Sequence, residues 1–186
     1  MQVNPKQTNT VIVGAGQAGL AMSAHLTTHN ISHIILEKHR LVERWRTARW
    51  DSLVANGPAW HDRFPVQEFA DISGDDFATR EEIVSYFEHF ADAVKAPVRC
   101  GIEVSAVTRH SDGGFLVETN SGQIMAENVV AATGPFQTPV MPPLVPQDDA
   151  IYQMHSSEYR NPQQLRDGAV LVIGAGSSGA QIADEL

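Results

Sequence analysis

Two glycine-rich runs, Gly14-Ala15-Gly16-Gln17-Ala18-Gly19 and Gly174-Ala175-Gly176-Ser177-Ser178-Gly179, share the spacing Gly-x-Gly-x-x-Gly. The chemistry such a run can do is phosphate binding by main-chain N–H groups. Its first glycine permits a tight turn, its second lets the backbone approach a pyrophosphate, and its third lets a helix pack closely on a strand. The N-terminus of the following helix then faces the anion with unpaired N–H groups. One isolated run is weak, because any glycine-rich strand-to-helix turn can produce it. Two in suitable context predict two dinucleotides.

The context is a strand before each loop and a helix after it. Thr10 to Val13 is β-branched and continuous rather than alternating, as expected of a parallel strand buried on both faces, and Val170 to Ile173 reads the same way. Gln17 to Asn30 carries Ala18, Leu20, Ala21, Ala24 and Leu26 on a helical face, with Asn30 to end it. The next apolar run, Ile34 to Leu36, ends in Glu37. An acidic residue about twenty positions past the loop, at a strand's carboxyl end, is placed to accept hydrogen bonds from a ribose. A solvated strand-end glutamate is the alternative.

Between the loops, residues 38–80 read as an irregular excursion holding Trp45, Trp50, Trp60, Phe64 and Phe69. These aromatics suit either a satellite cluster under a long loop or the walls of a site for a flat tricyclic ring. Thr79 with Glu81 and Glu82 opens a helix whose Ile83, Tyr86, Phe87, Phe90 and Val94 form a core stripe, stopped by Pro97. Strands are then expected at Ile102–Thr108, Phe115–Thr119 and Gln123–Ala126, a three-stranded antiparallel meander, with another buried strand at Val129–Ala132. Pro135, Pro139, Pro142, Pro143 and Pro146 make an extended connector, so a domain boundary is expected near 140–165. The expected division is 1–150 and 151–186.

Composition narrows the partners. Against 13 basic residues stand 22 acidic ones, a formal charge of −9, with no basic run, which disfavours nucleic acid and anionic membrane surfaces. No apolar stretch reaches the ~18 residues of a membrane span, and MQVNPKQTNT lacks the apolar core of a secretory signal. The single cysteine, Cys100, fits a reducing compartment and reads as a buried small hydrophobe rather than a nucleophile. A cytoplasmic protein is expected. His25 and His29 share a helix face but lack a third ligand, so no metal is expected.

This order of elements resembles the two-dinucleotide-binding flavoproteins, and more narrowly the flavin-containing monooxygenase family and its bacterial CzcO-like relatives. GAGQAGL followed by Glu37-Lys38 resembles the FAD-binding half. Arg44-Trp45-Arg46 and Arg49-Trp50-Asp51-Ser52-Leu53 resemble the segment around the isoalloxazine. Asn56-Gly57-Pro58 falls where the family carries an asparagine beside flavin and nicotinamide. Ala132-Thr133-Gly134-Pro135 resembles the segment leaving the FAD domain, His155-Ser156-Ser157-Glu158-Tyr159 half of the monooxygenase fingerprint, and GAGSSG the NADPH loop. The aromatic and glycine of that fingerprint are replaced by Asp149 and Ile151, and a Gly-Gly pair by Glu43-Arg44, which makes the CzcO-like group a closer match than the Baeyer–Villiger enzymes.

The resemblance implies an α/β fold: a Rossmann-like FAD-binding domain with an antiparallel three-stranded meander, then the start of a second Rossmann-like NAD(P)H domain. It implies that Gly14, Gly16, Gln17, Ala18 and Gly19 hold the FAD pyrophosphate and Glu37 and Lys38 the ribose region. Trp45 and Leu53 would line the flavin, the Val104 backbone would meet the adenine, Thr133 and Gly134 would also bind the cofactor, and Gly174, Gly176, Ser177, Ser178 and Gly179 would bind NADPH, NADH not being excluded. In this family NADPH reduces FAD and a C4a-hydroperoxide transfers oxygen to a small-molecule substrate. Asn56 would act there through its amide, or serve only as a turn residue before Gly-Pro. His155 reads as a linker histidine at least as well as a base. Only Ala180 to Leu186 follow the second loop, about two turns of helix. The chain is therefore expected to be a fragment or a shortened product, whose unpaired Val170–Ile173 strand invites association, a homo-oligomer included. The alternatives are a flavin reductase or oxidase without oxygen transfer, or a non-catalytic flavin-binding protein. A thioredoxin-reductase type is disfavoured because no CxxC is present.

Overall fold

Four successive residues without polar alternation need cover on both faces, and Thr10–Val13 obtains it at the middle of a mixed sheet. The computed structural model of the chain describes residues 6–64, 67–144, 148 and 150–186; Pro146 and Asp149 lie outside the described residues. The strands are β1 (Lys6–Val13), β2 (His33–Glu37), β3 (Val98–Cys100), β4 (Val104–Arg109), β5 (Phe115–Thr119) and β6 (Gly122–Ala131). They form a 6-stranded sheet in the order β3-β2-β1-β6-β5-β4. The β1–β2, β1–β6 and β2–β3 pairs are parallel, and β4–β5–β6 is an antiparallel meander. Val11 sits opposite Ile34 and Val129. It joins Leu36, Val117, Ile124 and Ala126 in the core on one face.

Three expectations change. The strands expected at Gln123–Ala126 and Val129–Ala132 are one strand of 10 residues, β6, which serves as both the third meander strand and the neighbour of β1. The exposed pair Glu127-Asn128 interrupts the apolar pattern without breaking the strand, because Asn9 Nδ2 donates to Glu127 (2.6 Å) and Asn128 Nδ2 donates to Asn9 Oδ1 (3.4 Å). The short edge strand β3 was not expected, and its last residue, Cys100, is exposed rather than buried. An edge strand of 3 residues has too little cover to bury it. Val170–Ile173 does not form a strand: no described segment pairs with it, and Leu171 is 78% exposed. A parallel strand needs a neighbour for its N–H and C=O groups, and none is supplied among the described residues.

Local chemistry sets the helix limits. Helix α1 (Gln17–Thr28) ends with Asn30 at φ +56°, the Asn30 and Ile31 N–H groups returning to the carbonyls of Thr27 and Leu26. This is the double hydrogen bond of a left-handed helix stop. The excursion contains a short helix, α2 (Glu43–Thr47), and an isolated antiparallel bridge between Val54 and Thr79. Helix α3 (Arg80–Ala93) begins with a reciprocal cap: the Thr79 N–H donates to Glu82 (2.8 Å), and the Glu82 N–H donates to Thr79 Oγ1 (3.3 Å). Its stripe is core at Ile83, Tyr86, Phe87 and Phe90, while Val94 lies half-buried just past the helix; Phe64 stacks on Phe90 at 4.0 Å, and the Phe64 N–H donates to the Tyr86 hydroxyl at 2.7 Å. The last helix is α4 (Ser177–Glu185).

The described residues fall into two compact units, one within Met1–Glu43, Phe64–Val66 and Tyr86–Gln137, the other within Arg44–Arg63, Gln67–Ser85 and Thr138–Leu186. Among the described residues, no helix is long and apolar enough to cross a membrane. The reciprocal cap gives a direct test. Thr79→Ala should lower unfolding stability by ~1 kcal/mol, seen as a lower urea midpoint with unchanged slope.

Candidate functional site

The first loop is shaped by steric limits at two glycines. Gly14 has φ +104°, and its N–H donates to the Leu36 carbonyl at 2.8 Å. A Cβ on Gly14 would lie 2.5 Å from the Ala132 carbonyl oxygen and 3.3 Å from Thr133 Cα. A Cβ on Gly19 would lie 2.0 Å from the Gly14 carbonyl oxygen, so only glycine lets α1 start this close to β1. Gly16 differs: a Cβ there would meet nothing within 4 Å. That space lies directly beside the loop backbone, where a pyrophosphate would approach.

The helix end is left open to an anion. No side chain caps α1 at Gly16, and its first turn holds no acidic residue. Gln17 and Ala18 are exposed there. By contrast, α3 closes its own N-terminus with Thr79 and Glu82. The positive end of the α1 dipole is therefore unopposed by its own side chains.

Glu37, at the end of β2, turns its carboxylate to the same loop. Oε2 accepts from the Ala15 N–H at 2.9 Å and Oε1 from the His39 N–H at 3.0 Å. A carboxylate has about four acceptor positions, so capacity remains for hydroxyl donors. The donor set, the open space and the acidic acceptor fit the pyrophosphate and ribose of a dinucleotide. The other expected residues of this unit lie around it differently. Lys38 pairs with Glu103 at 2.7 Å on the surface, an ion pair that holds the Glu103 carboxyl below the usual carboxylate range. Val104 packs on the sheet core beside an irregularity in the β4–β5 register. The Thr133 carbonyl accepts from the Gln137 side chain, and Gly134 has φ +77°.

The second loop repeats the geometry of the first. Gly174 has φ +115°, and a Cβ on Gly179 would lie 2.0 Å from the Gly174 carbonyl oxygen. Gly176 is extended and uncapped by any side chain, a Cβ there would meet nothing within 4 Å, and Ser177 and Ser178 open α4 with no acidic residue in the first turn. The Ala180 N–H donates to the Gly176 carbonyl at 3.0 Å, as Leu20 does to Gly16 at 3.0 Å.

In the second unit, α4 is docked on the excursion. Trp50, Leu53, Tyr159 and Ile182 form a buried cluster, with Trp45, Met154, Leu165 and Val172 against it. The aromatics of the excursion thus divide: Trp50 is core, Trp45 half-buried, and Trp60 57% exposed. The Trp50 indole N–H is buried with no acceptor among the described residues. Asp51 ties three segments together: it accepts from Arg80 (2.9 Å) and from Asn161 (2.6 Å), and its N–H donates to the Arg160 carbonyl (2.7 Å). The Asn161 and Arg80 hydrogen bonds hold its carboxyl below the ordinary range. The Tyr159 hydroxyl donates to Glu185 at 3.1 Å, and burial, with that partner second, pushes its pKa up to about 12. His155 Nδ1 lies 2.8 Å from Ser157 Oγ and accepts from the Ser157 N–H at 3.1 Å, a local turn contact.

Asn56 is exposed, and its turn is fixed from below: the Gly57 N–H donates to Asp62 Oδ2 at 3.0 Å, while a Cβ on Gly57 would lie 2.6 Å from Asp62 Oδ1. Gln181 holds Val54 through both backbone groups. Asp62, Arg80 and Gln181 carried no recognisable signal in the sequence, since their partners are set by the fold; Asp51 and Tyr159 were marked only as members of their motifs.

Residues 11–186 match the profile of the pyridine nucleotide-disulphide oxidoreductases. The chain belongs to that family. It is 44% identical over 96% of its length to the CzcO-like oxidoreductase of Geobacillus kaustophilus, of which it covers 51%. It is 32% identical over 95% of its length to an indole-3-pyruvate monooxygenase of Oryza sativa, of which it covers 44%. A flavin-containing monooxygenase from Stenotrophomonas maltophilia superposes with a TM-score of 0.82 at 26% identity, over 97% of this chain and 55% of that one. The chain therefore spans about half the length of the curated relatives it matches. The family resemblance and the fold class read from the motifs are borne out.

Two outcomes follow from the geometry. Gly19→Ala should destabilise the ligand-free protein by ~1–3 kcal/mol through overpacking, whereas Gly16→Ala should leave its thermal midpoint unchanged and weaken dinucleotide retention, both read by thermal melts with and without added FAD. The Tyr159 pKa lies above its ordinary value of 10.0, at about 12. The unfolded state therefore loses that proton first, and stability is full below about pH 10 and falls as pH rises towards about 12. Tyr159→Phe should remove this part of the alkaline fall in denaturation midpoints.

Proposed function

We propose that this chain provides the dinucleotide-binding part of an FAD-dependent, NAD(P)H-using monooxygenase acting on a small molecule. The observation that carries the reading is the repetition of one loop geometry: Gly14 and Gly174 at positive φ, Gly19 and Gly179 each with no room for a Cβ, and Gly16 and Gly176 open. Glu37, hydrogen-bonded to the Ala15 N–H at 2.9 Å, favours the first loop as the FAD site. Gly14, Gly16, Gln17, Ala18 and Gly19 would hold its pyrophosphate through backbone N–H groups, and the Glu37 carboxylate would accept from a ribose hydroxyl. Gly174, Gly176, Ser177, Ser178 and Gly179 would do the same for NADPH, with NADH an equal candidate on these residues alone.

Bound FAD would supply the redox chemistry, and the protein would bind, orient and exclude water. Similarity to monooxygenases of plant and bacterial origin supports oxygen transfer over simple reduction. The family resemblance gives Asn56 the one direct chemical role, a side-chain amide donating to oxygen at the reacting end of the flavin. Its exposed amide on a constrained turn favours this role. For Trp45, Leu53, Lys38, Val104, Thr133 and Gly134 the resemblance alone suggests a contact with the cofactor. The single cysteine supports a reducing, cytoplasmic setting.

The test uses the full-length protein with NADPH, labelled dioxygen and a panel of sulfide, amine and ketone substrates. Label in a product supports the reading. Reduction of bound FAD by NADPH with all oxygen recovered as hydrogen peroxide would make it an oxidase, and absence of FAD would remove the reading altogether. In the same protein, Asn56→Asp should raise the peroxide released per NADPH by about tenfold or more at unchanged FAD content. An unaltered ratio would take Asn56 out of the chemistry.

A further inference from the structure

The segment ahead of Asn56 behaves as a short strand with one edge completed by a side chain. On one edge, the Leu53 carbonyl accepts from the Arg80 N–H at 3.1 Å, and the Ala55 N–H donates to the Ala78 carbonyl at 2.7 Å. An antiparallel pairing of this kind leaves the intervening residue, Val54, with its N–H and C=O facing the other way. Gln181 takes both: its Oε1 accepts from the Val54 N–H at 3.2 Å and its Nε2 donates to the Val54 carbonyl at 3.1 Å. A primary amide presents one acceptor and one donor in a plane, as a neighbouring peptide would.

Gln181 also sits on the helix that follows the second dinucleotide loop. It lies two positions after Gly179 on α4, whose next residue, Ile182, is 7% exposed and packs in the cluster with Trp50 and Leu53. A phosphate bound at the N-terminus of α4 therefore orders the same short helix that holds Val54, and Val54 precedes Asn56 by two residues. The opposite side of the Asn56 turn is anchored separately, through Gly57 and Asp62 at 3.0 Å.

We propose that Gln181 is a positioning residue that couples occupancy of the Gly174–Gly179 loop to the placement of Asn56. The proposal rests on the reading of that loop as the NAD(P)H site. Nucleotide binding would rigidify α4 further, the amide pair would carry this to the Val54 backbone, and Asn56 would be held more firmly when the reductant is bound.

The experiment is hydrogen exchange on the full-length, FAD-loaded protein with and without NADPH, with peroxide per NADPH measured in parallel. In the unaltered protein, NADPH should slow exchange of the Val54–Gly57 amides. In Gln181→Ala that slowing should shrink on the order of tenfold, the worth of the lost amide pair, and peroxide release should rise, while FAD content and NADPH affinity stay the same. Gln181→Glu serves as the near-isosteric control. As a carboxylate it can accept from the Val54 N–H but cannot donate to the carbonyl; as a carboxylic acid it can do both. Its slowing should therefore recover as pH falls towards a glutamate pKa of ~4.3, a profile that mere loss of packing would not produce. Equal NADPH-dependent slowing in the unaltered protein and Gln181→Ala overturns the coupling. So does NADPH binding in the unaltered protein without any change at Val54–Gly57. A full-length protein that binds no NAD(P)H overturns the site reading itself, and this is read from the unaltered protein alone.

Discussion

The approach of Gly19 to the Gly14 carbonyl is the constraint on which the first unit's nucleotide-binding edge depends. With a methyl group there the separation would be 2.0 Å, so helix and strand meet at a distance only hydrogen permits. That closeness fixes the direction of α1, and so decides where its free N–H groups point. It also leaves Gly16 as the outermost part of the turn and brings the Ala15 N–H within 2.9 Å of Glu37 on the next strand. Buried β-branched residues in β1 hold the other side of the joint, Ile12 lying 3.4 Å from where the Gly19 Cβ would be. Remove the closeness and the phosphate donors, the acidic acceptor and the strand ends lose their common frame.

The second unit is organised on a different principle. Apart from the Val54–Thr79 bridge it has no strand pairing among the described residues, and its segments are joined by side chains reaching to backbone. Such hydrogen bonds are worth a net ~0.5–1.5 kcal/mol each, and the half-exposed Asp51–Arg80 pair adds little. Burial of Trp50, Leu53, Tyr159 and Ile182 contributes more, about 1.5–3 kcal/mol for each large side chain. Stability in this unit therefore comes from the apolar cluster, and registry from the polar pairs. An apolar cluster tolerates small slips, whereas an amide clamped to one residue's N–H and C=O does not. That division makes Gln181 a matter of position more than of stability.

What could be read from sequence follows the same distinction between local and distant causes. The loops, the Thr79 cap, the Asn30 stop and the Phe115–Thr119 strand were legible because each is specified within a few neighbouring residues. The continuity of β6 was not, because the polar pair Glu127-Asn128 looks like a break until Asn9, more than a hundred positions earlier, is placed beside it. Cys100 was misread for a related reason: its apolar character is intrinsic, but its exposure depends on β3 being an edge. In the candidate sites, the glycines and Glu37 announced themselves by spacing, while Asp51, Asp62 and Gln181 are ordinary polar residues until the fold supplies their partners.

The two halves of the second nucleotide motif separate this distinction most sharply. Val170–Ile173 has the composition of a buried strand yet pairs with no described segment, while the loop immediately after it keeps the glycine geometry of the first copy, down to the same 2.0 Å limit at the third glycine. A strand is completed by hydrogen bonds from other segments, so its formation is a property of the whole sheet. The loop is completed by its own backbone: a positive φ at Gly174, an extended Gly176 and the first hydrogen bond of α4. The geometry of a phosphate cradle of this type is therefore set locally. Its helix then needs some other anchor to aim it. In this chain that anchor is the excursion, through Ile182 in the apolar cluster and Gln181 on Val54. Among the described residues the helix of the second cradle is therefore tied to the segment that carries Asn56, so that what orders α4 also bears on Val54.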